Sequence, residues 1–229
     1  MGQSLSSVRE CHVAVFTGGV TVPPVTVKAA LEDVQLCVAA DSGLHLAFDW
    51  DLPVQHVVGD MDSVNPVLLE QARALGATVT THPRVKDATD LELALNTAVD
   101  AGATRITVVG GAGGRLDHLF GTACVLTSER FADVAVQAFL GVSTLSVVRQ
   151  ETFLSGMVGE LVGLFALNGP ARGVTTRGLL YPLTDEVLTP GSSRGVSNRL
   201  VDGSAVVSVR DGVVLSVQSG IVDERPVSY

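Results

Sequence analysis

Hydrophobic residues recur in two different patterns, and the change between them divides the sequence near residue 140. Before that point, short apolar runs alternate with stretches whose apolar residues recur at helical spacing. The runs predict strands at 12–17, 36–40, 54–58, 77–81, 105–109 and 134–139. The helical stretches lie at 25–31, 44–50, 66–75, 91–101 and 116–129. This alternation predicts β/α units built around a mainly parallel sheet.

Local capping signals mark two of these helices. Asn65 followed by Pro66 is typical of an N-cap with proline at the first helical position, and Gly76 suits the other end of that helix. Thr89 and Glu92 have the spacing of a capping box, which predicts a helix that begins just after Thr89.

After residue 140 the apolar pattern becomes period two, with frequent turns. We expect strands at 143–149, 160–167, 173–176, 204–210 and 213–218. Asp211-Gly212 is a hairpin signal between the last two strands. The fold class is therefore an α/β N-terminal domain, residues 1–141, followed by an all-β sandwich or barrel, residues 142–229.

Composition narrows the functional classes. Hydrophobic residues make up 46% of the chain and charged residues 17%, so a sizeable core is expected. The formal charge of −9 argues against nonspecific nucleic-acid binding. No apolar run approaches the roughly 20 residues of a membrane span. Cys11, Cys37 and Cys124 are widely spaced, which favours buried thiols in a reducing cytoplasm over a disulfide framework or a zinc site.

Three polar clusters occur where strands of the predicted parallel sheet meet loops, at 59–63, 86–90 and 110–118. The carboxyl ends of such strands form ligand sites in open α/β sheets. Asp60 and Asp62 are two positions apart, so in an extended loop their carboxylates would point the same way and repel each other. Mg²⁺ would relieve that repulsion, although the two could also be solvated loop residues or Asp62 a helix cap.

The other clusters offer groups for a polyphosphate. Lys86 could contact phosphate or be a solvated charge, and Asp90 could face the end of the sheet from the first turn of its helix. The glycines at 110–114 could present backbone N–H groups to phosphate oxygens, with Arg115 adding a bidentate contact, or could form a plain turn. Neither a GxGxxG nor a GxxxxGK[ST] motif is present.

Taken together, these clusters resemble the motifs of thiamine pyrophosphokinases, which the chain has as GDMDS at 59–63, KDATD at 86–90 and GGRLDH at 113–118. Residues 41–43 resemble the Asp-Gly-Gly loop of that family, with serine in the middle position. Residues 178–183 and 196–198 resemble its substrate-side motifs. The likeness covers nearly the whole chain, in the right order.

The resemblance implies a catalytic α/β domain that binds nucleotide and metal, and a β-sandwich that binds thiamine. ATP would donate its pyrophosphoryl group to thiamine with Mg²⁺, giving thiamine diphosphate and AMP. It also implies a homodimer, with the active site between the α/β domain of one subunit and the β domain of the other. The metal-binding and catalytic residues would be Asp60, Asp62 and Asp90. The ATP-binding residues would be Asp41, Lys86, Asp87, Thr89, Gly113, Gly114, Arg115, Asp117 and His118. The thiamine-binding residues would be Tyr181, Ser197 and Asn198.

Two departures from the family pattern concern the acceptor side. Arg199 stands where relatives often have an acidic residue, and Thr122 lies where an asparagine is often found. Either Asp62 or Asp90 could accept the proton of the acceptor hydroxyl. The alternatives are a pyrophosphokinase for another small alcohol, such as hydroxymethyl-dihydropterin, and a non-catalytic sensor of nucleotide or thiamine.

Overall fold

The structure is a computed structural model that describes residues 10–19, 27–110 and 115–223. In its first part, strands alternate with helices as the hydrophobic pattern predicts. The strands are β1 (His12–Thr17), β2 (Leu36–Ala40), β3 (His56–Gly59), β4 (Thr78–Thr81), β5 (Arg105–Gly110) and β6 (Ala135–Leu140). The helices are α1 (Gly43–Asp49), α2 (Pro66–Ala74), α3 (Asp90–Asp100) and α4 (Leu116–Leu126).

The predicted helix starts are confirmed by their hydrogen bonds. The Asn65 side chain accepts from the N–H of Val67, and the Thr89 side chain accepts from the N–H of Glu92. Two other helix predictions differ from the structure. Residues 25 and 26 of the predicted helix 25–31 lie outside the described residues, and Lys28–Leu31 forms a 3-10 turn. The helix predicted to reach residue 129 ends at Leu126.

In the described residues after β6, the regular elements are all strands. They are β7 (Ser143–Val148), β8 (Glu151–Ser155), β9 (Glu160–Ala166), β10 (Ala171–Arg177), β11 (Glu186–Leu188), β12 (Asn198–Arg199), β13 (Ser204–Ser208) and β14 (Val214–Val222). The sequence pattern did not predict β8, β11 or β12, because each is short or mostly exposed.

The described strands form two sheets. The larger has ten strands in the order β12-β9-β14-β7-β6-β5-β1-β2-β3-β4, and the smaller has four in the order β11-β10-β13-β8. Strands β1 to β6 pair in parallel, whereas β7 pairs with β6 in antiparallel register. The large sheet therefore runs without a break across the predicted boundary at residues 141 and 142. The division into two domains stays a prediction.

The smaller sheet packs on the antiparallel part of the larger one. Their shared core has Val162 and Val214 from the large sheet and Leu154, Val174 and Val207 from the small one, all almost fully buried. In β9, burial alternates along the strand, so one face meets this core. This arrangement is a β-sandwich, and the predicted fold class is confirmed.

The predicted hairpin at Asp211-Gly212 is wrong. Strands β13 and β14 flank this turn, but β13 pairs with β8 and β10, whereas β14 pairs with β7 and β9. Gly212 has φ +89°, and a Cβ there would lie 2.7 Å from the carbonyl oxygen of Pro170. The turn therefore carries the chain from one sheet to the other, since an Asp-Gly signal specifies a local bend and not the hydrogen-bonding partner.

Burial of the cysteines differs from the expectation of three buried thiols. Cys37 is buried in the core beside β1, Cys11 is half-buried, and Cys124 on α4 is exposed. The expectation is wrong for Cys124. Among the described residues, no helix combines the length and the apolar character needed to cross a membrane.

Candidate active site

A cleft of about 660 Å³ opens at the carboxyl ends of β1, β2 and β3 and beside the start of α3. Its volume is in the range of known small-molecule sites. Predicted site residues that line it are Asp41, Asp60, Asp62, Lys86, Thr89, Asp90, Arg115 and His118. The cleft thus gathers acidic and basic side chains from four separate segments, as expected for the edge of a parallel sheet.

Three carboxylates form the closest acidic group in this cleft. One oxygen from each of Asp41, Asp60 and Asp62 lies within 4.8 Å of the other two. Asp41 follows β2 in a left-handed conformation, φ +46°, and its N–H donates to the carbonyl of Val58 in β3 at 2.8 Å. This bond fixes Asp41 beside the end of the neighbouring strand, where Asp60 begins the next loop.

Asp60 and Asp62 converge through a turn and not through an extended loop. Met61 between them has φ +62°, and the N–H of Asp62 donates to Asp60 Oδ1 at 3.3 Å. The hydroxyl of Ser63 donates to Asp62 Oδ1 at 2.8 Å. The predicted convergence is therefore present, but the geometric reason that the sequence suggested for it is wrong.

Two cationic side chains contact these carboxylates. Lys86 Nζ lies 3.0 Å from Asp90 Oδ1 and 3.9 Å from Asp60 Oδ2. Arg84 forms an ion pair with Asp62, and its Nε lies 4.0 Å from Asp60 Oδ2. Sequence reasoning missed Arg84, although it lies only two positions before Lys86 in the same loop.

Asp41 has the properties of a ligand for a divalent cation. Burial raises the pKa of its carboxyl group, and the nearby charges of Asp90, Asp60 and Asp62 raise it further against a backbone hydrogen bond that lowers it. Its buried Oδ1 has no hydrogen-bond partner among the described residues. Carboxylate oxygens in this state suit a hard cation such as Mg²⁺, so the residues present fit the predicted metal.

The pKa of Asp62 is shifted in the opposite direction to that of Asp41. The hydroxyl of Ser63 and the guanidinium of Arg84 hold the pKa of this carboxyl group below its ordinary value. Asp62 is therefore kept ionised by partners that lie on the rim of the cleft.

Asp90 is the first residue of α3 and lines the cleft beside the acidic group. It does not belong to the closest group of three, and its Oδ1 lies 3.0 Å from Lys86 Nζ. Gly59, with φ +150°, makes room for it, since a Cβ there would lie 3.1 Å from Asp90 Oδ1 and 3.1 Å from the Cβ of Asp41. The glycine thus lets the carboxylates of Asp41, after β2, and Asp90, at the start of α3, approach each other.

The remaining residues predicted to bind ATP are placed differently. Arg115 lines the cleft, and its guanidinium donates to both carboxylate oxygens of Asp117, at 3.2 and 2.6 Å. Asp87 and Asp117 are exposed and do not line the cleft. Gly113 and Gly114 lie outside the described residues. Thr122, one of the two departures from the family pattern, lines the cleft.

The residues predicted to bind thiamine lie in the sandwich and do not line this cleft. Tyr181 is 60% exposed, and Ser197 is exposed with φ +62°. Asn198 is buried, and its side chain bonds to the backbone. Its Oδ1 accepts from the N–H groups of Tyr181 and Arg199, both at 3.0 Å, and its Nδ2 donates to the carbonyl of Tyr181 at 2.8 Å. Asn198 therefore fixes the backbone of Tyr181.

Arg199 also has structural partners. Its Nη1 donates to the carbonyl oxygen of Asp223 at 2.9 Å and lies 3.7 Å from the carboxylate of that residue. The residue that departs from the family pattern thus ties the end of β12 to the segment that follows β14.

A second, apolar groove of about 360 Å³ lies between α4 and the face of the large sheet that points away from the sandwich core. Leu119 and Phe120 of α4 line it and are 41% and 66% exposed. Phe165 of β9 and Leu215 and Val217 of β14 line the other side. This is a continuous apolar surface on the described part of a single chain.

Comparison with known proteins gives matches along both parts of the chain. Residues 27–138 match the family model described as thiamin pyrophosphokinase, catalytic domain, and residues 145–214 match the one described as thiamin pyrophosphokinase, vitamin B1 binding domain. Among curated proteins, the chain is similar to thiamine pyrophosphokinase of Bacillus subtilis, with 24% identity over 80% of this chain and 87% of that protein. It is also similar to thiamine pyrophosphokinase 1 of Oryza sativa subsp. japonica, with 27% identity over 72% of this chain and 71% of that protein.

Crystal structures with the same fold are known. The crystal structure of thiamine pyrophosphokinase from Bacillus subtilis matches with a TM-score of 0.77 and 21% identity, over 92% of this chain and 100% of that chain. At this identity the match establishes the common fold, including the succession of the parallel sheet and the sandwich.

Proposed function

The chain belongs to the thiamin pyrophosphokinase family, and we propose that it transfers the pyrophosphoryl group of ATP to the hydroxyl group of thiamine. The products are thiamine diphosphate and AMP. The observation that carries the proposal is the convergence of Asp41, Asp60 and Asp62 with Asp90 and Lys86 in one cleft. The family matches are to pyrophosphokinases and give no support to a binding protein without catalysis.

Asp60 and Asp62 hold Mg²⁺ in this proposal, with Asp41 contributing its unpartnered oxygen and Asp90 lying next to them. This extends the ligand set expected from the sequence, which had Asp60, Asp62 and Asp90 and assigned Asp41 to ATP. The cation, when bound, supplies charge neutralisation at the phosphate oxygens.

The protein groups position the reactants. Lys86 is held between Asp60 and Asp90 and carries a positive charge toward the polyphosphate, while Arg115 contacts it from the start of α4. The thiamine hydroxyl oxygen forms a bond to the β-phosphorus as the bond from that phosphorus to the oxygen of AMP breaks. The hydroxyl proton passes to a carboxylate, either Asp62 or Asp90. Such a transfer depends on orientation and charge more than on covalent help.

Thiamine is the acceptor that best fits the chain. The matched vitamin B1 binding domain spans 145–214, which contains Tyr181, Ser197 and Asn198. We propose that the ring of Tyr181 stacks on thiamine and that Asn198 positions it through the backbone. No observation favours the pterin alcohol.

We also propose a homodimer, because Tyr181 and Ser197 do not line the acidic cleft of their own chain. In a dimer, the sandwich of a second copy would close the cleft. The apolar groove beside α4 supports this assembly. Phe120 is large and 66% exposed, and it continues the groove lined by Leu119 and Phe165. A surface of this kind is typical of protein interfaces. The enzyme is proposed to act in the cytoplasm, where free cysteines stay reduced.

The test is an assay for AMP and thiamine diphosphate from ATP, Mg²⁺ and thiamine. Asp60→Asn and Asp90→Asn should each give a folded protein whose kcat falls by about 10²–10³-fold, by analogy with the loss of other charge-stabilising groups. The matched control is Asp100→Asn at the other end of α3, where the side chain is 70% exposed and bonds to Arg130. Full activity in both cleft variants would refute the assignment of the carboxylates.

A further inference from the structure

Arg84 is the most exposed of the charged groups that contact the acidic cluster. Its side chain is 75% exposed, whereas that of Lys86 is 15% exposed. Its guanidinium forms an ion pair with Asp62 Oδ2 and lies 4.0 Å from Asp60 Oδ2. Arg84 is therefore held at the rim of the cleft mainly by the carboxylates that the proposed function assigns to Mg²⁺.

The acidic cluster and the two cations that contact it leave room for one divalent cation, while Arg115 of the same cleft is paired with Asp117. Asp41, Asp60, Asp62 and Asp90 carry four negative charges, and Lys86 and Arg84 carry two positive ones. The remaining charge of two matches one Mg²⁺. However, Arg84 is already paired with Oδ2 of Asp62, one of the carboxylates proposed to hold the cation. A metal ion and this guanidinium therefore compete for the same carboxylate.

Of the two cations, Arg84 is the one that can leave the carboxylates of Asp62 and Asp60. Lys86 is largely buried and lies 3.0 Å from Asp90, so its position does not depend on Asp62. Arg84 has a long, exposed side chain, and exposed ion pairs are weak. It lines the cleft that holds the nucleotide in the proposed function. A guanidinium released there can make two parallel hydrogen bonds to phosphate oxygens.

We propose that Arg84 is an exchangeable counter-ion that neutralises Asp62 and Asp60 in the metal-free protein and moves to the phosphates of the nucleotide when the cation binds. This inference rests on the proposed function of the cleft. It implies that metal and nucleotide bind with positive coupling. The metal alone must break the Arg84–Asp62 pair, whereas the metal with a nucleotide gives Arg84 a new partner.

The first readout is the binding of Mn²⁺, a spectroscopic probe for the Mg²⁺ site, to the nucleotide-free protein. Arg84→Gln should bind Mn²⁺ about two- to fivefold more tightly than the wild type, which is the equilibrium equivalent of losing an exposed ion pair. Arg84→Lys should lie between the two. Arg73→Gln is the matched control, because Arg73 is an exposed arginine paired with Glu70 on α2, away from the cleft.

The second readout is the KM for ATP, which should rise roughly tenfold in Arg84→Gln and less in Arg84→Lys, because a charge-assisted phosphate contact is lost. Unchanged Mn²⁺ affinity or an unchanged KM for ATP in Arg84→Gln would overturn the exchange. Failure of the Arg84 exchange can be distinguished from failure of the proposed function. A wild type that makes thiamine diphosphate, with Mn²⁺ affinity equal in both proteins, would refute only the role of Arg84.

Discussion

Replacing Asn198 with alanine is predicted to weaken thiamine binding, although the Asn198 side chain acts through the backbone of Tyr181 and not by contact with the ligand. The Asn198 side chain makes three hydrogen bonds to backbone groups, two of them to Tyr181 and one to the N–H of Arg199. All three disappear in the variant, so the chain segment that carries the Tyr181 ring loses its fixed position. The effect on the substrate is therefore indirect.

The magnitude follows from burial at the two ends of these bonds. A hydrogen bond contributes about 1 kcal/mol to stability, so three would contribute about 3 kcal/mol. Tyr181 is 60% exposed, however, and water can replace the lost partners of its backbone. We expect a loss of about 1–2 kcal/mol in the free energy of unfolding. The KM for thiamine should rise by about five- to tenfold, and the KM for ATP should not change.

Steady-state kinetics with varied thiamine and denaturant unfolding measure the two effects. Asn168→Ala is the matched control, because the Asn168 side chain also bonds to another residue, donating to the carbonyl and hydroxyl oxygens of Thr127 at 2.7 and 3.2 Å. It should lose comparable stability and keep its KM for thiamine. Asn198→Asp should be at least as severe as the alanine variant, because it places a buried carboxylate oxygen against the carbonyl oxygen of Tyr181, to which Nδ2 donates in the wild type, and the two oxygens repel each other.

The reasoning is refuted if Asn198→Ala loses stability as Asn168→Ala does while both keep the wild-type KM for thiamine. In that case Asn198 would only stabilise the sandwich, and the backbone of Tyr181 would have no influence on the acceptor.

Three further predictions concern assembly and stability. Phe120→Asp should shift the protein from dimer to monomer in sedimentation velocity and abolish activity, and an active monomer would contradict the shared active site. Burial lowers the pKa of His12 below its ordinary value of 6.5, so the unfolded chain binds the proton more tightly. The free energy of unfolding should therefore fall as the pH drops below 6.5. Urea unfolding at pH 7.5 and 5.5 should show a smaller fall between the two pH values in His12→Gln than in the wild type. Arg149 donates to the carbonyls of Thr127 and Ser128, just after the end of α4, at 2.9 and 2.8 Å. Arg149→Met should therefore lower the free energy of unfolding by about 1–3 kcal/mol, as measured by chemical denaturation. Unchanged stability would show that water replaces the guanidinium.

Features that depend on neighbouring residues were predictable from the sequence. The caps at Asn65 and Thr89 form between side chains and N–H groups two or three positions away, so the sequence contains both partners of each bond. The strands of the parallel sheet were predictable for a related reason. Strands β1, β2, β3 and β5 are buried on both faces and appear as continuous apolar runs, whereas the edge strand β4 is mostly exposed.

Features that depend on strand order were not predictable. Asp41 joins Asp60 because β2 and β3 are neighbours and because its own backbone is left-handed, and neither fact is visible in a short stretch of sequence. Arg84 reaches Asp62 across 22 positions. The turn at Asp211-Gly212 looked like a hairpin, because the local signal gives no information on which sheet each strand joins.

The position of β14 has a consequence for biosynthesis. This strand is the last of the described strands to leave the ribosome, yet it lies in the interior of the large sheet, between β7 and β9. Until it emerges, both of those strands have an unpaired edge, and such edges invite pairing with other nascent chains. The parallel half can fold while translation continues, but the sandwich can form only after almost all of the described residues have been synthesised. Slow or truncated synthesis should therefore yield aggregates in which the second half is unfolded.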